Sequence, residues 1–428
     1  MHKLKYTGVV AFVVSAISCT PIGIEDGNLS KRKSDSIVEF HDAPSSEIII
    51  DVLKRASLMA NIQWLPLGPV PNMLGSFYPQ GRMVTGIPYS SGKELCTFVG
   101  QDVSIYSFLS AVKNPYSYLY TEDLSCPPYN SSLCRSYYGT VCSAAVDYAL
   151  GLPIQFTTYM YKGLPFFSVI TNASMDKLQL CDLLLEEGHV GMIYDIIRDF
   201  NGSITQISVF ESVHEGTRIK TYSRSQFIAQ WKNTGWEILR YKFTEQPKFN
   251  TTESSVLEDD MVFNSYLSTA KGDCVSYAKR DSIIINYLDN SSGTLMILKD
   301  HSLLRSIPVN GYDHELVFYD LPCGDYELYI QREDLSRTPS IYFDIVDTDV
   351  SIDVNEKVTV RFNTSESTPI YLIFCQLTHR YLSFWEITEE DLASGFISVI
   401  PENRNTYYYK VLFQGRYGRV ASELQPVK

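Results

Sequence analysis

The sequence predicts an α+β domain followed by two all-β sandwich modules. Two observations favour this division. Helical periodicity and strand alternation are mixed in the first 247 residues, whereas short alternating strands separated by turn residues fill the chain after residue 255. A chain of 428 residues, 45% of them hydrophobic, is long enough to bury the two or three cores that this arrangement needs.

The chain begins with a segment typical of an export signal. Residues 1–19 have a basic start and an apolar run that is too short to span a bilayer. The run ends at Cys19 and resembles the lipobox of bacterial lipoproteins. We therefore expect residues 1–19 to be a lipoprotein signal peptide with Cys19 lipidated, and residues 20–40 to be a polar tether. A plain secretory signal with an accidental Cys is the alternative.

Residues 41–247 are expected to form the first folded domain, with a helical N-terminal extension. The residues between 66 and 92 are rich in Gly, Pro and Ser and are expected to be mostly loop. Apolar spacing predicts three helices, at 46–61, 102–112 and 141–150. Alternation predicts strands at 189–198, 203–213 and 236–243.

The later part of the chain follows a polar, turn-rich linker near residues 245–259. Its strand-like segments lie at 282–288, 293–300, 314–321, 326–331, 350–354, 357–362, 370–377, 395–400 and 406–413. Regular spacing of short strands is typical of antiparallel sandwiches. We therefore expect one β-sandwich module over residues 255–346 and a second over residues 347–428.

The strongest chemical signal is YGTVCSAAVDYALGLP, residues 138–153. Cys142 and Ser143 open the third predicted helix, whose other face is apolar. A thiol at a helix N-terminus feels the positive end of the helix dipole, which favours the nucleophilic thiolate. The alternative for Cys142 by itself is a small buried residue, as most cysteines are.

Two later residues complete a candidate nucleophilic site. His189 follows a Gly turn at the start of a predicted strand, where its imidazole can point into a cleft, and it fits a Cys/His pair with Cys142. Glu211 lies on the next strand and is the candidate third member, because an acceptor beside the imidazole fixes its tautomer and orients the ring. The alternatives are a surface histidine and a solvated strand glutamate.

These segments resemble the NlpC/P60 and CHAP papain-like cysteine peptidases over roughly residues 80–243. The resemblance rests on the sequences Cys142-Ser143, Asp182-Leu183-Leu184 and Gly188-His189-Val190. It implies a papain-like (NlpC/P60-type) catalytic fold, with Cys142 as nucleophile and His189 as base. CHAP-type members use Glu in the third position, which suits Glu211.

The chain also departs from the pattern of these families. Cys181 stands where the turn before the catalytic His commonly has Gly, and Ala144 replaces the Gly of a frequent Cys-Ser-Gly sequence. The aromatic motif upstream of the Cys corresponds to the segment that ends at Tyr89, farther from the Cys than usual. From the resemblance we take Tyr89 and Ser143 as candidate substrate-binding residues.

The remaining cysteines add little. Cys274 follows Asp273 in an Asp-Cys sequence that imitates a catalytic motif, but no helix is predicted after it, so we expect it to be non-catalytic. Cys126 and Cys134 flank a turn and could pair in an oxidising envelope, and their spacing leaves this open. No spacing typical of a zinc site or a phosphate loop occurs, so we expect no metal and no other cofactor.

The charge balance argues against nucleic acid as a partner. Asp and Glu number 49 against 36 Lys and Arg, a formal net charge of −13, whereas phosphate binding needs clustered basic residues. By resemblance, we expect a cysteine-nucleophile amide hydrolase that acts on peptidoglycan stem or cross-link peptides. As a membrane-anchored lipoprotein it would lie in the bacterial cell envelope, in the periplasm or at the cell surface.

Two alternatives stay open at this point. An acyltransferase or transglutaminase-like enzyme of the same fold would replace the attacking water with an amine. A non-catalytic envelope lipoprotein would bind cell-wall peptide or glycan without cleaving it.

Overall fold

The computed structural model describes most of the chain after residue 39. The described residues are 40–42, 46–91, 97–125, 134–152, 154–242, 263–289, 292–310, 314–355, 357–365, 367–375, 381–400 and 408–427. The expected signal peptide with Cys19, nearly all of the expected tether, the linker and Cys126 lie outside them. The described residues belong to one compact unit. Within them, no helix combines the length and apolar character needed to cross a membrane.

The three predicted helices form close to their expected positions. The helices of this part are α1 (Glu47–Asn61), α2 (Ile105–Lys113), α3 (Tyr118–Thr121), α4 (Cys142–Leu150) and α5 (Arg224–Thr234). The hydroxyl of Ser46 accepts from the backbone N–H of Ile49 and caps α1. Gly151, with φ of +72°, ends α4 in the left-handed conformation that glycine adopts without strain.

An antiparallel sheet accompanies these helices. Its strands are β1 (Phe40–His41), β6 (Phe167–Val169), β7 (Leu183–Glu186), β8 (His189–Arg198), β9 (Ile204–Val213), β10 (Gly216–Ser223) and β11 (Glu237–Tyr241). The order across the sheet is β10-β9-β8-β7-β11-β6, and β1 pairs with β8. Four two-residue strands precede it, namely β2 (Gln63–Trp64), β3 (Val70–Pro71), β4 (Phe77–Tyr78) and β5 (Val84–Thr85), which pair as β2-β5 and β3-β4.

Helix α4 lies against this sheet and is buried along its whole length. It packs on β8 and β9 and also against α1, so its small apolar residues Ala145, Val146 and Ala149 join one continuous core. Since β8 and β9 run in opposite directions, the start of β8 lies beside the end of β9. This arrangement brings His189, Glu211 and the start of α4 together where β8 begins and β9 ends.

The prediction of a papain-like α+β catalytic fold is wrong. Strands account for 42% of the described residues and helices for 18%, so the protein is rich in β-sandwich structure and has no clear papain-like α+β domain. The predicted helices exist, but the sheet also contains β6, β7 and β10, for which the sequence analysis assigns no strand. Leu183–Glu186 is an interior strand of the sheet, and its short apolar run has no periodicity that separates a strand from other buried structure.

The β-sandwich character predicted for the later chain is confirmed. The first module contains β12 (Leu267–Thr269), β13 (Val275–Ala278), β14 (Ile283–Tyr287), β15 (Gly293–Lys299), β16 (Ser302–Val309), β17 (Glu315–Phe318), β18 (Gly324–Gln331) and β19 (Ile341–Val346). These strands form the sheets β12-β14-β17 and β13-β19-β18-β15-β16. Alternate residues of both sheets are buried in one apolar core.

The second module repeats this architecture with other strands. It contains β20 (Val350–Val354), β21 (Val358–Phe362), β22 (Thr368–Cys375), β23 (Tyr381–Glu386), helix α6 (Glu389–Ser394), β24 (Phe396–Val399), β25 (Tyr408–Gln414), β26 (Arg419–Ala421) and β27 (Gln425–Pro426). The sheets are β20-β21-β24 and β23-β22-β25-β26, with β27 on β25, and a separate core lies between them. The expected division at 346/347 falls between β19 and β20.

A turn of the first module docks on helix α2. The amide of Asp273 donates to the hydroxyl of Ser110, and the hydroxyl of Ser107 donates to the carbonyl of Cys274. Gly272, with φ of +89°, approaches so closely that an added Cβ would overlap the carbonyl oxygen of Ser107 and lie 2.9 Å from the backbone nitrogen of Ala111. The sequence that imitated a catalytic Asp-Cys motif is therefore a docking turn.

The second module also packs against the first part of the chain. The amide of Arg419 donates to the carbonyl of Asp102, and the rings of Phe384 and Phe156 meet at 5.2 Å. Tyr371 and Leu412 of the module belong to the same core as α4. Both modules thus share buried contacts with the region that carries the candidate site.

We expect Gly272→Ala to lower the free energy of unfolding more than Gly202→Ala. Both glycines have left-handed φ, +89° and +80°, so both variants carry backbone strain of about 1–2 kcal/mol. At Gly272 the added methyl group overlaps neighbouring backbone atoms, whereas at Gly202 it has no non-neighbouring atom within 4 Å. The overlap adds about 1–3 kcal/mol to the loss of stability in Gly272→Ala. Urea unfolding followed by circular dichroism measures both. Equal losses would show that the docking turn tolerates an added methyl group.

Candidate functional site

Cys142 is the first residue of α4. Its side chain is 5% exposed, and its Sγ lies 3.9 Å from the carbonyl oxygen of Gly188. The residue before it, Val141, provides no side-chain cap for the helix. The positive end of the helix dipole therefore lies beside the thiol, without a side-chain cap from Val141.

His189 lies directly across from this helix start. The β7–β8 turn that precedes it contains Gly188, whose φ of +78° lets the chain reverse tightly and begin β8 at the histidine. The imidazole interacts with both Cys142 and Glu211. Its Nε2 lies 3.5 Å from Oε2 of Glu211.

Glu211 is held between His189 and a residue that sequence analysis did not select, Arg218. The antiparallel pairing of β9 with β10 places Arg218 directly opposite Glu211. Its Nε donates to Oε1 of Glu211 at 2.9 Å, while Oε2 faces the imidazole. The Glu211 side chain is only 10% exposed, so it is not the solvated strand residue of the alternative interpretation.

The three groups influence one another's ionisation. Burial lowers the pKa of His189, but the hydrogen bonds with Cys142 and Glu211 outweigh this effect and raise the pKa to about 10. Burial raises the pKa of Glu211, but hydrogen bonds from His189 and Arg218 hold it below its usual value. At neutral pH the site therefore holds an imidazolium beside an ionised carboxylate.

Tyr89 lies near the same thiol. Burial raises the pKa of Tyr89, and the charge of the nearby Cys142 thiolate would raise it further. The Tyr89 ring packs edge-on against the ring of His214, with centroids 5.4 Å apart. Tyr89 is half-buried, so the structure brings this predicted substrate-binding residue to the site.

Ser143 faces away from this cluster. Its side chain is buried, and its hydroxyl accepts a hydrogen bond of 2.8 Å from Nε2 of Gln155. One turn further along α4, the buried carboxyl of Asp147 accepts hydrogen bonds from the hydroxyl of Tyr161 and the backbone N–H of Phe156. Burial raises the pKa of Asp147 well above its usual value. Substrate binding by Ser143 stays a prediction, and the observed contacts anchor α4.

The turn before β7 contains Cys181. This residue has φ of +66°, a left-handed conformation that glycine adopts more easily than cysteine. Burial raises the pKa of the Cys181 thiol to about 12, which suits a structural cysteine. The neighbouring carboxylate of Asp182 is buried and pairs with Arg240 at 2.8 Å, so it supports the turn.

Sequence analysis missed Arg218 and the contact of His214 with Tyr89. A signal for Arg218 existed, since a glutamate and an arginine at equal distances from a hairpin turn face each other across the strands. Strand β10 had not been assigned, so this pairing was not visible. The position of His214 follows from the fold alone, because Tyr89 lies far from it in the sequence.

Comparisons with known proteins assign the chain to no family. No protein-family model matches the chain, and no curated protein matches it. Similar solved structures include the CD2-binding domain of CD58, at 13% identity and a TM-score of 0.20, which covers 36% of this chain and 95% of that chain. A two-domain fibronectin type III segment of chicken tenascin has 10% identity and a TM-score of 0.24, covering 38% and 95%.

A third similar structure contains fibronectin(III)-like modules of CbhA from Clostridium thermocellum. It has 12% identity and a TM-score of 0.19, and it covers 35% of this chain and 85% of that chain. At TM-scores this low, these likenesses carry no argument about the fold or function of this chain.

Proposed function

We propose that this protein is a cysteine-nucleophile amide hydrolase acting on peptidoglycan stem or cross-link peptides. The observation that supports it most is the imidazole of His189, which interacts with both Cys142 and Glu211 and has its Nε2 3.5 Å from Oε2 of the glutamate. This is the arrangement that nucleophilic catalysis by a thiol requires: nucleophile, base and orienting acceptor in a row.

The chemistry follows from these contacts. The proton on His189 stabilises Cys142 as the thiolate, which attacks the amide carbonyl carbon. The uncapped N–H groups at the start of α4 stabilise the oxyanion that forms. His189 then gives its proton to the leaving amine, and afterwards takes a proton from the water that hydrolyses the thioester.

Neighbouring residues have supporting roles in this mechanism. Glu211 stabilises the imidazolium and fixes the ring orientation. Tyr89 lies beside Cys142 with a half-buried ring, which suits contact with a bound substrate. The two β-sandwich modules would position the substrate or cover the site.

The substrate class and location rest on the sequence. The segments around Cys142 and His189 resemble NlpC/P60 and CHAP peptidases, which supports a cell-wall peptide as the substrate. The apolar start that ends at Cys19 supports an exported lipoprotein, anchored by lipid at a membrane of the bacterial envelope. An enzyme held there would meet peptidoglycan directly.

The test is digestion of purified peptidoglycan by the full-length protein. We expect released muropeptides whose masses correspond to hydrolysis of one amide bond, and none with a Cys142→Ala protein. Products that carry an added amine in place of water would assign an acyltransferase instead. Sedimentation with peptidoglycan without release of any fragment would contradict the proposed hydrolase and favour a binding protein.

A further inference from the structure

We propose that Arg218 is a positioning residue of the site, holding the Glu211 carboxylate in the orientation that serves His189. This inference rests on the proposed hydrolase function. Arg218 lies on β10, opposite Glu211 on β9, so the pairing of two neighbouring strands determines their contact. No feature of the family resemblance pointed to it.

The geometry divides the two oxygens of Glu211 between two partners. Nε and one terminal nitrogen of Arg218 both lie 2.9 Å from Oε1. Oε2 is left for Nε2 of His189 at 3.5 Å. Because two nitrogens of the rigid, planar guanidinium contact the same oxygen, they fix the position of Oε1 and leave Oε2 to face the imidazole.

The charges around Glu211 explain why this contact matters for catalysis. His189 faces it from β8 and Arg218 from β10, while Cys142 on α4 interacts with the imidazole of His189. Glu215, in the β9–β10 turn, reaches only the outer nitrogen of Arg218, at 3.7 Å. Without Arg218, His189 alone would oppose the burial that raises the pKa of Glu211.

A purely structural ion pair is the competing explanation for Arg218. The Arg218 side chain is 39% exposed, and exposed ion pairs contribute little to stability. A structural pair would also leave the pH dependence of the reaction unchanged. The two explanations therefore differ in the acid limb of the pH profile, which follows the protonation of Glu211.

The experiment compares Arg218→Gln, Arg218→Lys, Glu211→Gln and the Arg218→Gln/Glu211→Gln double variant. At neutral pH we expect Arg218→Gln to lower kcat/KM about 10-fold to 100-fold, since it removes hydrogen bonds to a charged group. The acid limb of the pH profile of kcat/KM for this variant should move to higher pH, because Glu211 would be protonated more easily. Arg218→Lys should recover part of the loss, because the charge is kept. The double variant should match Glu211→Gln, because Arg218 acts only through that carboxylate.

Arg224→Gln is the matched control. Arg224 is the first residue of α5, and its guanidinium donates to the backbone carbonyl of Ile204 on β9 and to no residue of the site. It should behave as wild type. A wild-type pH profile for Arg218→Gln, or a double variant whose loss is the product of the two single losses, would overturn the positioning role.

Failure of the hydrolase proposal would be seen separately, as an inactive wild-type protein. In that case the titration of Glu211, followed by NMR of ¹³C-labelled glutamate, still tests the inference. Arg218→Gln should raise the pKa of Glu211 above that in the wild type, whereas Arg224→Gln should not. An unchanged titration in Arg218→Gln would overturn the proposed effect on Glu211.

Discussion

We expect Cys142→Ala to abolish peptide hydrolysis while the protein stays folded. The thiolate is the attacking group, and removing a catalytic nucleophile costs on the order of 10⁴-fold or more in rate. The packing loss is small, about 1 kcal/mol, because one sulfur atom is removed from a residue at the rim of the core. Hydrolysis rates and thermal unfolding of the same preparations measure the two effects.

Cys375→Ala is the control for this substitution. Cys375 is also buried, but it lies on β22 of the second module. Its alanine variant should hydrolyse peptide at the wild-type rate. Iodoacetamide labelling near neutral pH should modify Cys142 rapidly in the wild type, and this reaction should disappear only in Cys142→Ala. An active Cys142→Ala protein would remove the catalytic role of this residue.

The second large effect is expected at Glu211. Glu211→Gln should keep part of the activity because an amide oxygen can still accept from His189. Glu211→Ala should lose more, up to roughly 10⁴-fold as for the orienting residue of a serine-protease triad. The measurement is the order of kcat/KM among wild type, Gln and Ala at one pH.

The same two variants should change the pH profile in a defined direction. The carboxylate of Glu211 helps to raise the pKa of His189 to about 10, so its removal lowers this pKa. The alkaline limb, where the imidazolium loses its proton, should therefore move to lower pH. Glu237→Gln is the control, since Glu237 is also an ion-paired strand glutamate but pairs with Lys162. If Glu211→Ala behaves like this control, the site has no third member at Glu211.

Local signals were enough to locate the elements that carry Cys142 and His189. A cap at Ser46, an apolar stripe and the stop at Gly151 determine helices through contacts within a few residues, and these helices form where expected. The hairpin of β8 and β9 is equally local, since a short turn joins two alternating strands. Both candidate residues begin such an element, so their positions could be predicted.

Strands that depend on distant partners could not be predicted in this way. The edge strand β6 pairs with β11, about 70 residues later in the chain. The sequence around β6 does not indicate this pairing, because strand formation there depends on the distant partner. Strands β6 and β7 of the first part were missed for this reason, and the papain-like fold predicted for that part is wrong. In the sandwiches, β13 pairs in parallel with β19, another contact between distant segments.

The sequence by itself determined the helix start at Cys142, the strand start at His189 and the sandwich-type alternation of the later chain. These features depend on capping, turns and periodicity, which act over a few residues. Only the tertiary structure decided that His189 contacts both Cys142 and Glu211, that Arg218 holds Glu211, and that Gly272 docks on α2. Such contacts join residues far apart in the chain, so they arise only when sheet register and helix packing have placed the elements against one another.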